Sequence, residues 1–135
     1  MTICLDANCV IYLVEKNPLW GPKIISRVAA AMAAGDSIAV CDLARAECLA
    51  GALKSGDAAI LADYQRFFSS PTVRMLPLTP AVCERAAAVR VASLMKIKLA
   101  DALHIAAAVE HGCGRFLTND VQLKRCSEIP VEVLA

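Results

Sequence analysis

The sequence lacks most of the compositional features of membrane proteins and of general nucleic-acid-binding proteins. No apolar run approaches the ~18 residues of a membrane span, so no association with a membrane is expected. The 14 lysine and arginine residues are nearly balanced by 13 aspartate and glutamate residues, giving a formal net charge of +1. This balance excludes a global basic field, so an RNA or DNA partner would have to be recognised locally or through a metal ion.

The cysteines do not form a pattern typical of disulfide-rich or zinc-binding proteins. Their number is odd, no C-x-x-C pair occurs, and most lie within apolar runs: Cys4, Cys9, Cys41, Cys48, Cys83, Cys113 and Cys126. This usage favours small buried thiols in a reducing compartment. The first six residues also lack the basic segment of a secretory signal, so we expect a cytoplasmic protein.

The apolar residues that are present, 58% of the chain, occur in short segments of two kinds. Five short runs indicate buried strands, at residues 2–6, 37–41, 73–78, 115–118 and 131–134. Capping residues, among them Asn8 and Asp42, together with Gly and Pro stops, predict helices at residues 9–15, 20–34, 43–54, 58–68, 80–95 and 101–111. This alternation predicts one α/β domain over residues 1–135, with a mostly parallel sheet covered on both faces.

Two acidic residues come at or just after the ends of predicted strands. Asp6 closes the first strand, and Asp120 follows the fourth strand by two residues. Ligands of open parallel sheets bind beyond the carboxyl ends of the strands. If the two strands are neighbours, both acids lie at the same crevice; otherwise each is a turn or capping residue.

Two further acids lie on helices without an evident partner. The residues three and four positions from Glu47 are small or apolar, and a solvated glutamate is the alternative to a functional one. Asp101 stands in the apolar segment 99–109, where a bare charge would be costly to bury. Asp101 must therefore bind metal, cap its helix or form a salt bridge, for example to Lys98.

The remaining charged residues are expected to have ordinary structural roles. His104 follows Asp101 by one helical turn, and a place in a helix–helix contact is its expected role. Four basic residues could supply local positive charge, but solvated surface positions are expected for them: Arg45, Arg90, Lys96 and Lys98.

Gathering several carboxylates at one place requires a compensating charge. Like charges disfavour each other's ionisation, and a divalent cation reverses that penalty. A site that offers only carboxylate oxygens selects Mg²⁺ or Mn²⁺ over zinc. Such a cation can polarise a phosphate and lower the pKa of an attacking water, so the acids indicate phosphodiester chemistry.

Four short motifs, in order along nearly the whole chain, resemble those of the PIN domain family. They are the opening segment Leu5–Tyr12, the helical segment Arg45–Glu47, the segment Lys98–Ala108 and the final segment Leu117–Asp120. The match is closest to the VapC-like toxins of bacterial type II toxin–antitoxin systems. One departure is Cys41-Asp42, where a serine or threonine often precedes the glutamate-bearing helix.

The resemblance implies a three-layer α/β/α sandwich with a mostly parallel sheet of four to five strands, and a metal-dependent endoribonuclease. It also implies an RNA substrate, a homodimer and an inhibitory antitoxin protein. Carried over by position, the acidic catalytic and metal site would be Asp6, Glu47, Asp101 and Asp120, with Mg²⁺ or Mn²⁺ held first by Asp6 and Asp101. Asn8 would stand beside Asp6, and Thr118 and Asn119 would orient the loop that carries Asp120.

Three other classes of protein share some of these features. A haloacid-dehalogenase-type phosphatase requires a second acid as proton donor two residues after the first, where this chain has Asn8. A receiver domain would need an acidic pair after the first strand and an acid at mid-chain, and both are absent. A PIN-like module that binds RNA or protein without cleavage stays open as the alternative to a nuclease.

Overall fold

All five predicted strands join a single sheet in which every strand pair is parallel. The computed structural model describes residues 1–135. The strands are β1 (Thr2–Leu5), β2 (Ser37–Cys41), β3 (Val73–Leu76), β4 (Arg115–Thr118) and β5 (Val131–Val133). They lie in the order β3-β2-β1-β4-β5, so β1 and β4 are neighbours. Strands β2 and β3 thus lie on one side of β1, and the later strands β4 and β5 lie on its other side.

Helices cover both faces of the sheet because its strands are apolar on both faces. They are α1 (Ala7–Val14), α2 (Trp20–Ala33), α3 (Asp42–Ser55), α4 (Ala58–Ser69), α5 (Pro80–Ala92) and α6 (Leu99–Glu110), with a short 3₁₀ helix at Val121–Arg125. Ile3 and Leu5 pack into one core with α1 to α4, whereas Cys4 packs into a second core with α5 and α6. This arrangement is the expected three-layer α/β/α sandwich.

Several predicted boundaries are corrected by the structure. Asn8 does not cap α1, because Asp6 is the N-cap and its Oδ1 accepts from the Ala7 amide at 2.7 Å. Asp42 is the first residue of α3 rather than its cap, and its carboxylate binds Arg45 instead. Strand β3 ends at Leu76, before Pro77, whose ring nitrogen has no hydrogen to donate to a sheet.

The cysteines confirm the expectation of free thiols. All seven are unpaired, and six of them are buried. None of the helices is both long enough and apolar enough to cross a membrane.

The sheet places the first and last acids together. Strand order reverses between β1 and β4, and ligand sites of open parallel sheets lie at such a reversal, beyond the carboxyl ends of the strands. Asp6 directly follows β1, and Asp120 follows β4 by two residues. The expectation that both acids lie at one crevice is confirmed because the two strands are neighbours.

Candidate active site

Thr118 joins the two strand-end acids through its hydroxyl group. Its Oγ1 donates to Asp6 Oδ2 at 2.7 Å and accepts from the Asp120 amide at 3.1 Å. Thr118 is fully buried and Asp6 is 5% exposed, so little water competes for these bonds. The hydroxyl therefore fixes the Asp6 carboxylate and the start of the Asp120 loop relative to each other.

Asp120 has a structural role as well as its place at the crevice. Its Oδ1 accepts from the Gln122 amide at 2.9 Å and so caps the 3₁₀ helix. The neighbouring Asn119 donates through Nδ2 to the Tyr12 hydroxyl at 2.7 Å, which ties the loop to α1. Thr118 and Asn119 thus both hold the Asp120 loop in place.

Glu47 has a partner that comes from another helix. His104 Nε2, on α6, donates to Glu47 Oε1, on α3, at 2.7 Å. The His104 side chain is 2% exposed, whereas that of Glu47 is 40% exposed. The glutamate is therefore anchored at one oxygen on the protein side, while its other side faces solvent.

Negative side chains around His104 favour its protonated form. Burial by itself lowers the pKa of the imidazole, but the Cys41 side chain, the Glu47 carboxylate and the Asp6 charge raise it to about 10. Its Nδ1 is buried and has no hydrogen-bond partner. A protonated His104 compensates part of the acidic charge of the site.

Asp101 lies in the first turn of α6 without any of the partners that would explain it structurally. Lys98 occupies the N-cap position, and no side chain caps this helix. Asp101 forms no ion pair, whether with Lys98 or with another residue. The two structural explanations of Asp101, capping and a salt bridge, are therefore wrong.

The other three acids act on the charge of Asp101. Burial raises the pKa of Asp101, and the negative charges of Asp6, Asp120 and Glu47 raise it further, whereas His104 lowers it. The fold thus brings all four sequence-predicted acids within electrostatic range at one edge of the sheet.

The donor set fits a hard divalent cation, although it does not form a complete cage. No three of the acidic, histidine and cysteine side chains lie close enough together to hold a metal ion. Mg²⁺ usually binds through one or two carboxylates and keeps several waters, so it does not require such a cage. Asp6 and Asp101 supply carboxylate oxygens, the ligand type that Mg²⁺ prefers, and each carboxylate oxygen of Asp6 keeps a second lone pair beside the hydrogen bond that it accepts.

A cavity of about 150 Å³ opens beside two of the acids. Asp101 and Asp120 contribute to its wall, and the α5–α6 loop and the 3₁₀ helix contribute three basic residues together with Ile97, Gln122 and Leu123. Asp101 and Asp120 therefore face a space that a ligand can enter, as a catalytic site requires.

The sequence prediction missed one residue of the site and misplaced another. His104 was expected only to pack between helices, and it does so, but its contact is with Glu47. The spacing of His104 one turn after Asp101 was the available signal, since both then lie on the same side of α6. Asn8, expected beside Asp6, is exposed and forms no side-chain hydrogen bond with Asp6, which accepts from the Ala7 amide and the Thr118 hydroxyl.

Comparison with known proteins agrees with this geometry. The family model of the PIN domain matches residues 3–129 of the chain. The chain belongs to the PIN domain family. No curated protein matches it in sequence.

Solved structures similar to this PIN domain include two DNA-bound VapBC structures and a toxin. One is VapBC2 from Rickettsia felis bound to a promoter DNA fragment, with a TM-score of 0.82, 20% identity and 100% coverage of both chains. DNA-bound VapBC from Salmonella typhimurium has a TM-score of 0.80 and 18% identity, over 100% of this chain and 99% of that one. VapC20 from Mycobacterium tuberculosis, a sarcin-ricin loop cleaving toxin, has a TM-score of 0.66 and 14% identity, over 84% and 86%. At these identities the likeness is one of fold.

Proposed function

We propose that this PIN domain protein is a metal-dependent endoribonuclease, the VapC-like toxin of a toxin–antitoxin pair. It hydrolyses RNA phosphodiester bonds with the help of Mg²⁺ or Mn²⁺. The observation that carries the proposal is Asp101: it has no structural partner, and its charge is opposed by Asp6, Asp120 and Glu47. Membership of the PIN family supports a nuclease as the general class of activity.

The chain's own residues have distinct tasks in this reaction. Asp6 and Asp101 would hold the cation, and Glu47 and Asp120 complete the acidic edge. A bound divalent cation polarises the phosphate and lowers the pKa of an attacking water. Thr118 keeps the Asp6 carboxylate in one orientation, and His104 does the same for Glu47. Orientation matters because in-line attack requires the water and the leaving oxygen on opposite sides of the phosphorus.

The proposed partners follow from the same family. Similar structures are complexes of a toxin with its antitoxin on DNA, which supports a cognate antitoxin as the inhibitor of this chain. We also propose a homodimer, and a cytoplasmic location in line with the seven free cysteines. We expect expression of this chain alone to arrest the growth of its host, and relief of that arrest by co-expressed antitoxin would support the first of these proposals.

The central test compares RNA cleavage by the wild type and by Asp101→Asn. This substitution removes the charge but no hydrogen bond, so we expect a folded protein whose cleavage of cellular RNA is abolished. Asp6→Asn should be equally inactive, and the asparagine oxygen can still cap α1. RNA ends should be mapped with Mg²⁺, with Mn²⁺ and with EDTA.

The matched control is Glu84→Gln, which removes an exposed carboxylate of α5 that forms no ion pair. It should cleave like the wild type. Equal cleavage by Asp101→Asn, or cleavage that persists in EDTA, would contradict the proposed mechanism. Binding of RNA without cleavage by the wild type, with Mn²⁺ present, would favour the non-cleaving PIN-like binding module instead.

A further inference from the structure

The cavity beside Asp101 and Asp120 is also lined by basic residues. Five of its eight lining residues are charged, and three of these are basic: Lys96, Lys98 and Arg125. Lys96 and Lys98 lie in the loop between α5 and α6, whereas Arg125 ends the 3₁₀ helix that Asp120 caps. Two separate segments thus bring positive charge to the same small space.

These cations are free of carboxylate partners although two carboxylates share their cavity. None of the three basic residues forms an ion pair in this structure. The Arg125 guanidinium donates from Nε to the Gln122 carbonyl oxygen at 3.1 Å, which leaves its terminal nitrogens available. The cavity therefore offers unpaired positive groups that can bind an anionic ligand group.

The loop that carries Lys96 and Lys98 is held by hydrogen bonds and contains two residues with a strained backbone. Leu94 and Met95 are consecutive residues with φ of 55° and 64°, a left-handed conformation that is costly for residues other than glycine. The buried Ile97 anchors the loop, because its amide donates to Ser93 Oγ at 3.1 Å and its carbonyl accepts from Arg90 Nε at 3.2 Å. Strain of this kind persists only where surrounding contacts enforce it, and it occurs most often at functional sites.

The size of the cavity limits what can enter it. Its volume of about 150 Å³ accommodates a phosphate group with some of its waters. The lining contains no aromatic side chain on which a base could stack.

We propose that Lys96, Lys98 and Arg125 form a phosphate clamp for single-stranded RNA. The clamp binds a phosphate that neighbours the scissile phosphate, which lies at the acids. The clamp contacts no base. It rests on the proposed ribonuclease function. Since phosphate contacts carry no sequence information, the clamp should strengthen the binding of all RNA sequences alike.

Binding experiments can isolate the clamp from catalysis. The probes are two fluorescein-labelled single-stranded RNA oligonucleotides of equal length and unrelated sequence, titrated by anisotropy in EDTA with Asp101→Asn as the parent. In this parent, combined Lys96→Gln, Lys98→Gln and Arg125→Gln substitutions should lower affinity about tenfold or more for both RNAs, as expected for lost charge-assisted hydrogen bonds. The slope of log affinity against log salt should become shallower by about 0.7 for the phosphate released.

Two controls keep the result specific. Lys54→Gln removes an exposed cation from the far end of α3, outside the cavity, and should change neither affinity nor slope. Arg125→Lys keeps the charge and should retain most of the binding that Arg125→Gln loses. If the combined variant has a lower Tm than its parent, the RNA affinities of the single Lys96→Gln and Arg125→Gln variants test the clamp instead.

The outcomes separate the clamp from the ribonuclease proposal. Unchanged affinity and slope in the combined variant would overturn the clamp, as would a loss confined to one of the two RNAs. With Asp101 restored and Mg²⁺ present, the clamp variants should show a raised KM and a nearly unchanged kcat. If the wild type cleaves no RNA while the combined variant still loses RNA binding, the proposed nuclease activity is wrong and the proposed clamp is supported.

Discussion

At the scale of single residues, the site depends on which side chains have partners and which do not. Asp6 accepts two hydrogen bonds and Glu47 is bound by His104, so both are held in place. Asp101 has no such partner and is repelled by the other acids. The helix dipole favours a negative charge in the first turn of α6, but no hydrogen bond or ion pair holds Asp101 there. Its charge is therefore best explained by function.

Thr118→Val is the sharpest test of how Asp6 is oriented. Valine has nearly the same shape but cannot donate to Asp6 Oδ2 or accept from the Asp120 amide. Because both partners lose a bond in a buried position, we expect a loss of about 1–3 kcal/mol in the free energy of unfolding. Urea denaturation measures this loss, and RNA cleavage should fall with it.

Thr118→Ser is the matched control, since serine restores the hydroxyl and omits only a methyl group. It should recover most of the cleavage activity. Full activity in Thr118→Val would show that the hydroxyl does not orient the acid.

At the scale of secondary-structure elements, the edge strand β5 is held by charge as well as by its pairing with β4. It is only three residues long, and its central residue, Glu132, is bound by arginines from two other elements. Arg27 of α2 contacts it through Nε at 2.6 Å and Nη2 at 2.9 Å, and Arg115 of β4 through Nη1 at 3.0 Å. These charge-assisted hydrogen bonds stabilise a short edge strand that backbone hydrogen bonds alone would hold weakly.

The Glu132 cluster predicts a defined pH dependence of stability. The Arg27 hydrogen bond, aided by Arg115, holds the pKa of Glu132 below its ordinary value of 4.5. A depressed pKa stabilises the folded state above the unfolded-state pKa, and that stabilisation is lost as pH falls through the folded-state value. The wild type should thus be more stable than Glu132→Gln at neutral pH, with the difference shrinking below about pH 4.5.

Urea denaturation of both proteins, from neutral pH down to about pH 3, measures this difference. Asp63→Asn provides a comparison, because its ion pair with Arg66 is exposed and should contribute little. A difference between wild type and Glu132→Gln that stays constant with pH would contradict the assignment.

At the scale of the whole molecule, the proposed metal site should couple to the stability of the fold. Without a divalent cation, repulsion among the acids opposes folding, and Asp101→Asn should melt at a higher temperature than the wild type. A cation that binds only the folded state stabilises it, by about 2.7 kcal/mol at 100 times its Kd. Added Mg²⁺ should therefore raise the Tm of the wild type much more than that of Asp101→Asn.

Thermal melting with Mg²⁺, and with NaCl at matched ionic strength, separates specific binding from screening. Glu84→Gln should respond like the wild type, because its carboxylate lies outside the site. If Mg²⁺ raises the Tm of Asp101→Asn as much as that of the wild type, the cation does not bind at Asp101.

Much of the fold was predictable because its signals are local. The strand Ser37–Cys41 and the strand Arg115–Thr118 have the predicted bounds, since short apolar runs end at polar or capping residues. Helix α5 begins at Pro80, as predicted, and Thr79 is its N-cap. The end of α5 was not predictable: it ends at Ala92, rather than 95, because Leu94 and Met95 adopt a left-handed conformation without any glycine to indicate it.

The sequence by itself determined which residue types are available to the site: four carboxylates, spaced at strand ends and on apolar helices. It also determined the alternation of elements, because hydrophobic periodicity and caps act over a few neighbouring residues. Only the tertiary structure decided which distant residues meet. The pairing of β1 with β4 put Asp6 and Asp120 at one crevice, and the packing of α3 on α6 joined Glu47 to His104. Contacts of that kind depend on strand order and helix packing, which no short stretch of sequence encodes.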